Sequence, residues 1–99
     1  MNYALITGAS SGIGYELALL FAKNGHNLIL VARQENKLIQ LADDLKRNYL
    51  IEILITSLDL SRTDAAEEIF GQVQEKSIHV NYLVNNAGFY VKGAFSEPS

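Results

Sequence analysis

The residues Thr7-Gly8-Ala9-Ser10-Ser11-Gly12-Ile13-Gly14 carry the clearest chemistry in the chain. An apolar run, Tyr3-Ala4-Leu5-Ile6, precedes them, and a segment with helical spacing, Tyr15 to Lys23, follows. Strand, glycine turn and helix in that order bring backbone N–H groups and the positive end of a helix dipole onto an anion. Glycines at 8, 12 and 14 suit tight turning and the close approach of a diphosphate. A β-carbon at Gly8 or Gly12 is expected to stand where the ligand's oxygens come. A phosphate loop needs a Lys followed by Ser or Thr at the helix start, and Ile13-Gly14-Tyr15 supplies neither. The spacing Gly8-x-x-x-Gly12-x-Gly14 also differs from the G-x-G-x-x-G dinucleotide turn.

The elements that must position this turn follow from apolar runs and helical periods. Tyr3 to Thr7 and Asn27 to Ala32 lack alternation, as strands buried on both faces do. Leu50 to Thr56 contains a third strand, with Glu52 near an edge or a strand start, and Val80 to Val84 is a fourth. The helix after Gly12 is expected to bury Ile13, Leu17, Leu20 and Phe21, flanked by Ala18 and Ala22, and to end at Asn24-Gly25. A second helix from about Gln34 to Arg47 turns Leu38, Leu41, Ala42 and Leu45 inward. A third is expected to start at a Ser61 cap and run to Glu75, with Ala66, Ile69, Phe70 and Val73 at helical spacing. Strand-helix three times and then a strand predicts an α/β fold: a parallel, Rossmann-like sheet with right-handed crossovers and helices on both faces.

The bulk properties bound the function. At 99 residues one domain is expected, and 48% hydrophobic with 19% charged residues is ordinary for a soluble globular protein. A net charge of −3 gives no support for nucleic acid as a partner. The absence of cysteine excludes disulfides and thiolate metal sites. No apolar run approaches the roughly 20 residues of a membrane span, so no membrane partner is expected and a cytoplasmic location is the default. His26 and His79 are isolated loop residues without a second ligand at metal spacing, and no metal site is expected.

Two motifs together point further. Thr7-Gly8-x-x-x-Gly12-Ile13-Gly14, at the end of the first strand, and Asn85-Asn86-Ala87-Gly88, at the end of the fourth, resemble the short-chain dehydrogenase/reductase family. Asp59-Leu60 after the third strand fits the same pattern. The resemblance covers essentially the whole chain but less than half of a usual family subunit. It implies strand order 3-2-1-4 and places residues 1–99 in the N-terminal part of an NAD(P)-binding Rossmann domain, ending before the catalytic half. It further implies that Gly8, Ser10, Gly12, Ile13 and Gly14 wrap the cofactor pyrophosphate and ribose. Asp59 would accept a hydrogen bond from the adenine amino group beside the Leu60 backbone. Asn86, Ala87 and Gly88 would line the ribose and nicotinamide side, while Asn85 braces the central strands.

The choice of cofactor rests on the end of the second strand. A carboxylate there binds the ribose 2′-hydroxyl and repels a 2′-phosphate. The chain has Val31-Ala32-Arg33 instead, and a guanidinium matches phosphate with a planar fork of donors. NADP is therefore expected over NAD, with Ser11 able to add a hydroxyl to the same phosphate. The resemblance implies a hydride-transferring oxidoreductase acting on a small carbonyl or alcohol substrate, assembled as a homo-oligomer. Family catalysis uses a Tyr with a Lys four residues on, and a Ser. The residues four on from Tyr3, Tyr15, Tyr49, Tyr82 and Tyr90 are Thr7, Leu19, Ile53, Asn86 and Ala94, so these 99 residues alone are expected to be inactive. The open alternatives are a non-catalytic nucleotide- or partner-binding module and a non-functional fragment. The fourth strand is further expected to be an apolar edge through which the chain, expressed alone, self-associates.

Overall fold

The computed structural model describes residues 2–86. Its elements run β1 (Asn2–Thr7), α1 (Gly12–Lys23), β2 (Asn27–Ala32), α2 (Glu35–Asn48), β3 (Ile53–Ser57), α3 (Ala65–Glu75) and β4 (His79–Asn85). The four strands form one parallel sheet in the order β3-β2-β1-β4, as expected. β1 and β2 are buried almost throughout, which explains their unbroken apolar sequence. Ala4, Ile6, Leu28 and Leu30 face α1 and α2, while Tyr3, Leu5, Ile29 and Val31 face α3. Asn27 gathers the strand starts: its Nδ2 donates to the Asn2 carbonyl at 3.3 Å and its Oδ1 accepts from the Glu52 amide at 2.8 Å.

The inward face of α2 is the predicted one, Leu38, Leu41, Ala42 and Leu45. That of α1 is not. Its buried residues are Gly14, Ala18 and Ala22, whereas Ile13 is 69% exposed and Leu20 55%. The helix starts directly beneath the glycine turn and lies so near the sheet that only small side chains fit between them. Large residues are displaced to its flanks, where Leu17 and Phe21 pack partly buried against the core.

α3 also starts later than expected. Its N-cap is Asp64, and Ser61 instead turns back on Asp59. It buries Ala65, Ile69 and Val73. The last turns of α1 and α3 close alike. In α1 the His26 amide donates to Phe21 O and the Gly25 amide to Ala22 O, with Gly25 at φ 82°. In α3 the Ile78 amide donates to Val73 O and the Ser77 amide to Gln74 O, with Ser77 at φ 55°. Both are six-to-one caps whose turning residue adopts the left-handed conformation.

Candidate functional site

Parallel strands bring their carboxyl ends to one rim. On it stand the turn after β1, Arg33 after β2, Asp59 and Leu60 after β3, and Asn85 and Asn86 where β4 ends. β1 lies between β2 and β4, so the chain leaves it towards opposite sides of the sheet. Ligand crevices in open α/β sheets form at such a reversal.

The three glycines of the turn have three different reasons. Gly8 has φ 66°, a conformation that strains any residue with a β-carbon. A β-carbon on Gly14 would overlap the Gly8 carbonyl oxygen and lie 2.8 Å from Ala9 Cα. Gly12 meets neither constraint. Its φ is not left-handed, and a β-carbon there has no atom of the described residues within 4 Å. Its small size serves the space outside the chain.

The same place offers free donors. Ser11 caps α1 with φ −81° and ψ 167°, and its Oγ accepts the Gly14 amide at 3.1 Å. The Tyr15 amide donates to Ser11 O at 2.8 Å. Among the described residues, the Gly12 and Ile13 amides have no partner within the chain. Two unpaired N–H groups at a helix N-terminus, over a gap kept open by a glycine, can hold an anionic oxygen.

Asn86 connects this turn to β4. Its Nδ2 lies 3.2 Å from the Gly8 carbonyl and 3.0 Å from Ser11 Oγ and donates to both. The Ser11 hydroxyl in turn donates to Gly8 O at 2.9 Å. Its one proton and both acceptor positions are therefore engaged by the turn and by Asn86. Beneath it, fully buried Thr7 donates through Oγ1 to Asn85 Oδ1 at 3.0 Å. Sequence reasoning set Asn85 to brace the strands and Asn86 to line the ligand; in the structure both side chains tie β4 to β1 or its turn. The Ser10 side chain makes no hydrogen bond among the described residues. Ala87 and Gly88, the other expected wall residues, lie outside the described residues.

On the far side of β1, Asp59 is preset. Its Oδ1 accepts from the Ser61 hydroxyl at 2.7 Å and from the Ser61 amide at 3.0 Å. These bonds, first the hydroxyl and then the amide, hold its carboxyl below the usual carboxylate range, with the charges of Arg33 and Arg62 adding to the effect. Arg62 is engaged elsewhere, paired with Asp64 at 2.9 Å and Glu68 at 3.0 Å. Arg33 is exposed and makes no ion pair among the described residues, so its guanidinium fork is available. Leu60 packs half-buried against the core on the α3 face. What sequence reasoning missed here is the tether on Arg33: Ser57 Oγ donates to its carbonyl at 2.9 Å. A serine at the end of β3, beside the end of β2, was the available signal.

Comparison with known proteins agrees with this architecture. The sequence profile of the short chain dehydrogenase family matches residues 2–99. The chain belongs to the short-chain dehydrogenase/reductase family. It is 37% identical over 86 residues to the very-long-chain 3-oxoacyl-CoA reductase of Kluyveromyces lactis, covering 87% of this chain and 25% of that protein. The bulky-bulky ketone specific alcohol dehydrogenase of Comamonas testosteroni superimposes with a TM-score of 0.77 at 38% identity, covering 98% of this chain and 40% of that one. A short-chain dehydrogenase of Sphingobium yanoikuyae, solved in complex with NADPH, gives 0.78 at 36% identity, covering 94% and 36%. The chain thus spans about a quarter of the length of its curated relatives, which are oxidoreductases. No helix among the described residues is long and apolar enough to cross a membrane, and no cluster of His, Asp and Glu there could hold a metal ion.

Proposed function

We propose that residues 1–99 are the N-terminal, cofactor-binding portion of an NADP-dependent short-chain oxidoreductase acting on a carbonyl or alcohol. The observation that carries this reading is the space at Gly12, which no atom of the described residues occupies, beside the Gly12 and Ile13 amides, unpaired among those residues. Those amides would bind the pyrophosphate oxygens, with Gly8 and Ser10 completing the turn around them. Ser11 would hold the turn in shape through the bonds it makes to Gly8 and Gly14. Asp59, ionised and fixed by Ser61, would accept a hydrogen bond from the adenine amino group, with the Leu60 backbone beside it. Asn86, Ala87 and Gly88 would wall the ribose and nicotinamide side. Once bound, the nicotinamide would supply or accept the hydride.

Arg33 supports the 2′-phosphorylated cofactor over NAD. It occupies the end of β2, where a carboxylate would repel that phosphate, and its fork is not engaged by an ion pair among the described residues. The NADPH complex of the Sphingobium relative is consistent with this choice. Calorimetric titration of the full-length protein tests it. NADPH is expected to bind more tightly than NADH, and Arg33→Ala to weaken NADPH by about tenfold or more, the size of a lost charge-assisted hydrogen bond. Tighter NADH binding, or unchanged NADPH affinity in Arg33→Ala, would overturn it.

A further inference from the structure

We infer that Ser57 is a positioning residue that holds the backbone of Arg33 in place and so sets the discrimination between 2′-phosphorylated and unphosphorylated dinucleotides. The inference rests on Arg33 meeting the 2′-phosphate and extends that reading to a residue that touches no ligand.

The β2–β3 ladder closes with Ala32 opposite Ser57. Just past it, the Leu58 amide donates to Ala32 O at 2.9 Å, and the Ser57 hydroxyl donates to Arg33 O at 2.9 Å. Two successive carbonyls of the chain leaving β2 are thus held by two successive residues at the end of β3, Ser57 and Leu58. The second attachment depends on a side chain, because the ladder itself stops at Ala32. Arg33 is exposed, and among the described residues no ion pair anchors its guanidinium. The direction in which its side chain leaves the sheet is therefore set by its backbone, and Ser57 is the side chain bonded to that backbone.

Ser57 has no competing task. It is exposed, contributes nothing to either core cluster, and makes no other side-chain hydrogen bond among the described residues. Two residues on, Asp59 is fixed by Ser61 and lies close enough to Arg33 for their charges to interact. The negative charge that attracts Arg33 and the hydroxyl that holds its backbone both come from the exit of β3. Releasing the backbone would let the guanidinium settle towards Asp59 or solvent, away from the 2′-position.

The test compares Ser57→Ala and Ser57→Thr with the parent in the full-length protein, with Arg33→Ala as control. Dissociation constants are measured for NADPH and NADH. Ser57→Ala is expected to weaken NADPH by about 2- to 12-fold, the range spanned by one net hydrogen bond, with NADH changed less than about twofold. Ser57→Thr keeps the hydroxyl on a strand-compatible residue and is expected to restore the NADPH:NADH ratio. A general structural role would move both affinities together and leave their ratio alone, and that result overturns the inference. So does an unchanged NADPH affinity in Ser57→Ala while Arg33→Ala shifts the NADPH:NADH ratio. If Arg33→Ala leaves the ratio unchanged, the 2′-phosphate reading itself fails, and this inference with it.

Discussion

Gly12 and Gly14 lie two residues apart, yet alanine at each should produce opposite outcomes. At Gly14 the new β-carbon overlaps the Gly8 carbonyl oxygen and crowds Ala9 Cα at 2.8 Å. Both are backbone atoms, and the carbonyl also accepts from the Ser11 amide and hydroxyl and from Asn86. No rotamer change relieves the clash, so Gly14→Ala should destabilise the nucleotide-free protein by about 1–3 kcal/mol, as overpacking does. At Gly12 the β-carbon meets no atom of the described residues within 4 Å, on a backbone any residue can adopt. Alanine there restricts the unfolded chain and favours the helix, so stability should be unchanged or rise by about 0.4–1 kcal/mol. The added methyl nevertheless occupies the proposed pyrophosphate space. If the crowding costs about 1–3 kcal/mol, NADPH affinity falls by roughly 5- to 160-fold. Denaturant unfolding without nucleotide gives the first quantity and NADPH titration the second. A Gly12→Ala protein that folds well and binds NADPH like the parent would show that the anion is not held at this turn. Loss of stability in Gly12→Ala would show that the glycine serves the fold instead.

Two further outcomes concern stability alone. The folded-state pKa of Asp59 is depressed, so its contribution to stability is present above the unfolded value of about 3.9 and lost as pH falls through the folded value. Asp59→Asn should flatten the stability–pH curve below about pH 4 relative to the parent; parallel curves would contradict the Ser61 clamp. Ser77 fills, with a β-carbon, the left-handed cap position that Gly25 fills in α1. Ser77→Gly should therefore stabilise the protein, by up to about 1 kcal/mol after the unfolded-state entropy of glycine is subtracted, and a fall in the denaturation midpoint would contradict this.

The strands and their order were legible because β1 and β2 are apolar at successive positions, a pattern that a doubly covered parallel sheet imposes. The rim of the site was legible for a related reason. Residues that follow parallel strands come together, so Gly8, Arg33, Asp59 and Asn86 could be grouped before any coordinates. The inner face of α1 was not legible. Hydrophobicity points to Ile13 and Leu20, but the closeness of helix and sheet at the turn selects Gly14, Ala18 and Ala22, and helix-to-sheet separation leaves no mark in a period. Ser61 looked like a cap because serine before acidic residues often is one. It went to Asp59 instead, a contact two residues away that competes locally with capping. The bonds of Asn86 to Gly8 and Ser11 span most of the described chain and exist only once the sheet has closed.

That last connection has a consequence for how the protein is made. The contacts joining Asn86 to Gly8 and Ser11 bridge sequence separations of 78 and 75 residues. At about 5–20 residues per second, a ribosome delivers Asn86 roughly 4–16 s after Gly8. Throughout that interval β1 can pair with β2, but its turn lacks the Asn86 side-chain amide that donates to both the Gly8 carbonyl and the Ser11 hydroxyl. A nascent chain therefore presents glycine, serine and helix N-terminus early while the turn is still unlatched. If the turn holds nucleotide as proposed, a chain that stops short of Asn86 is expected to bind it more weakly than one in which the fourth strand has arrived.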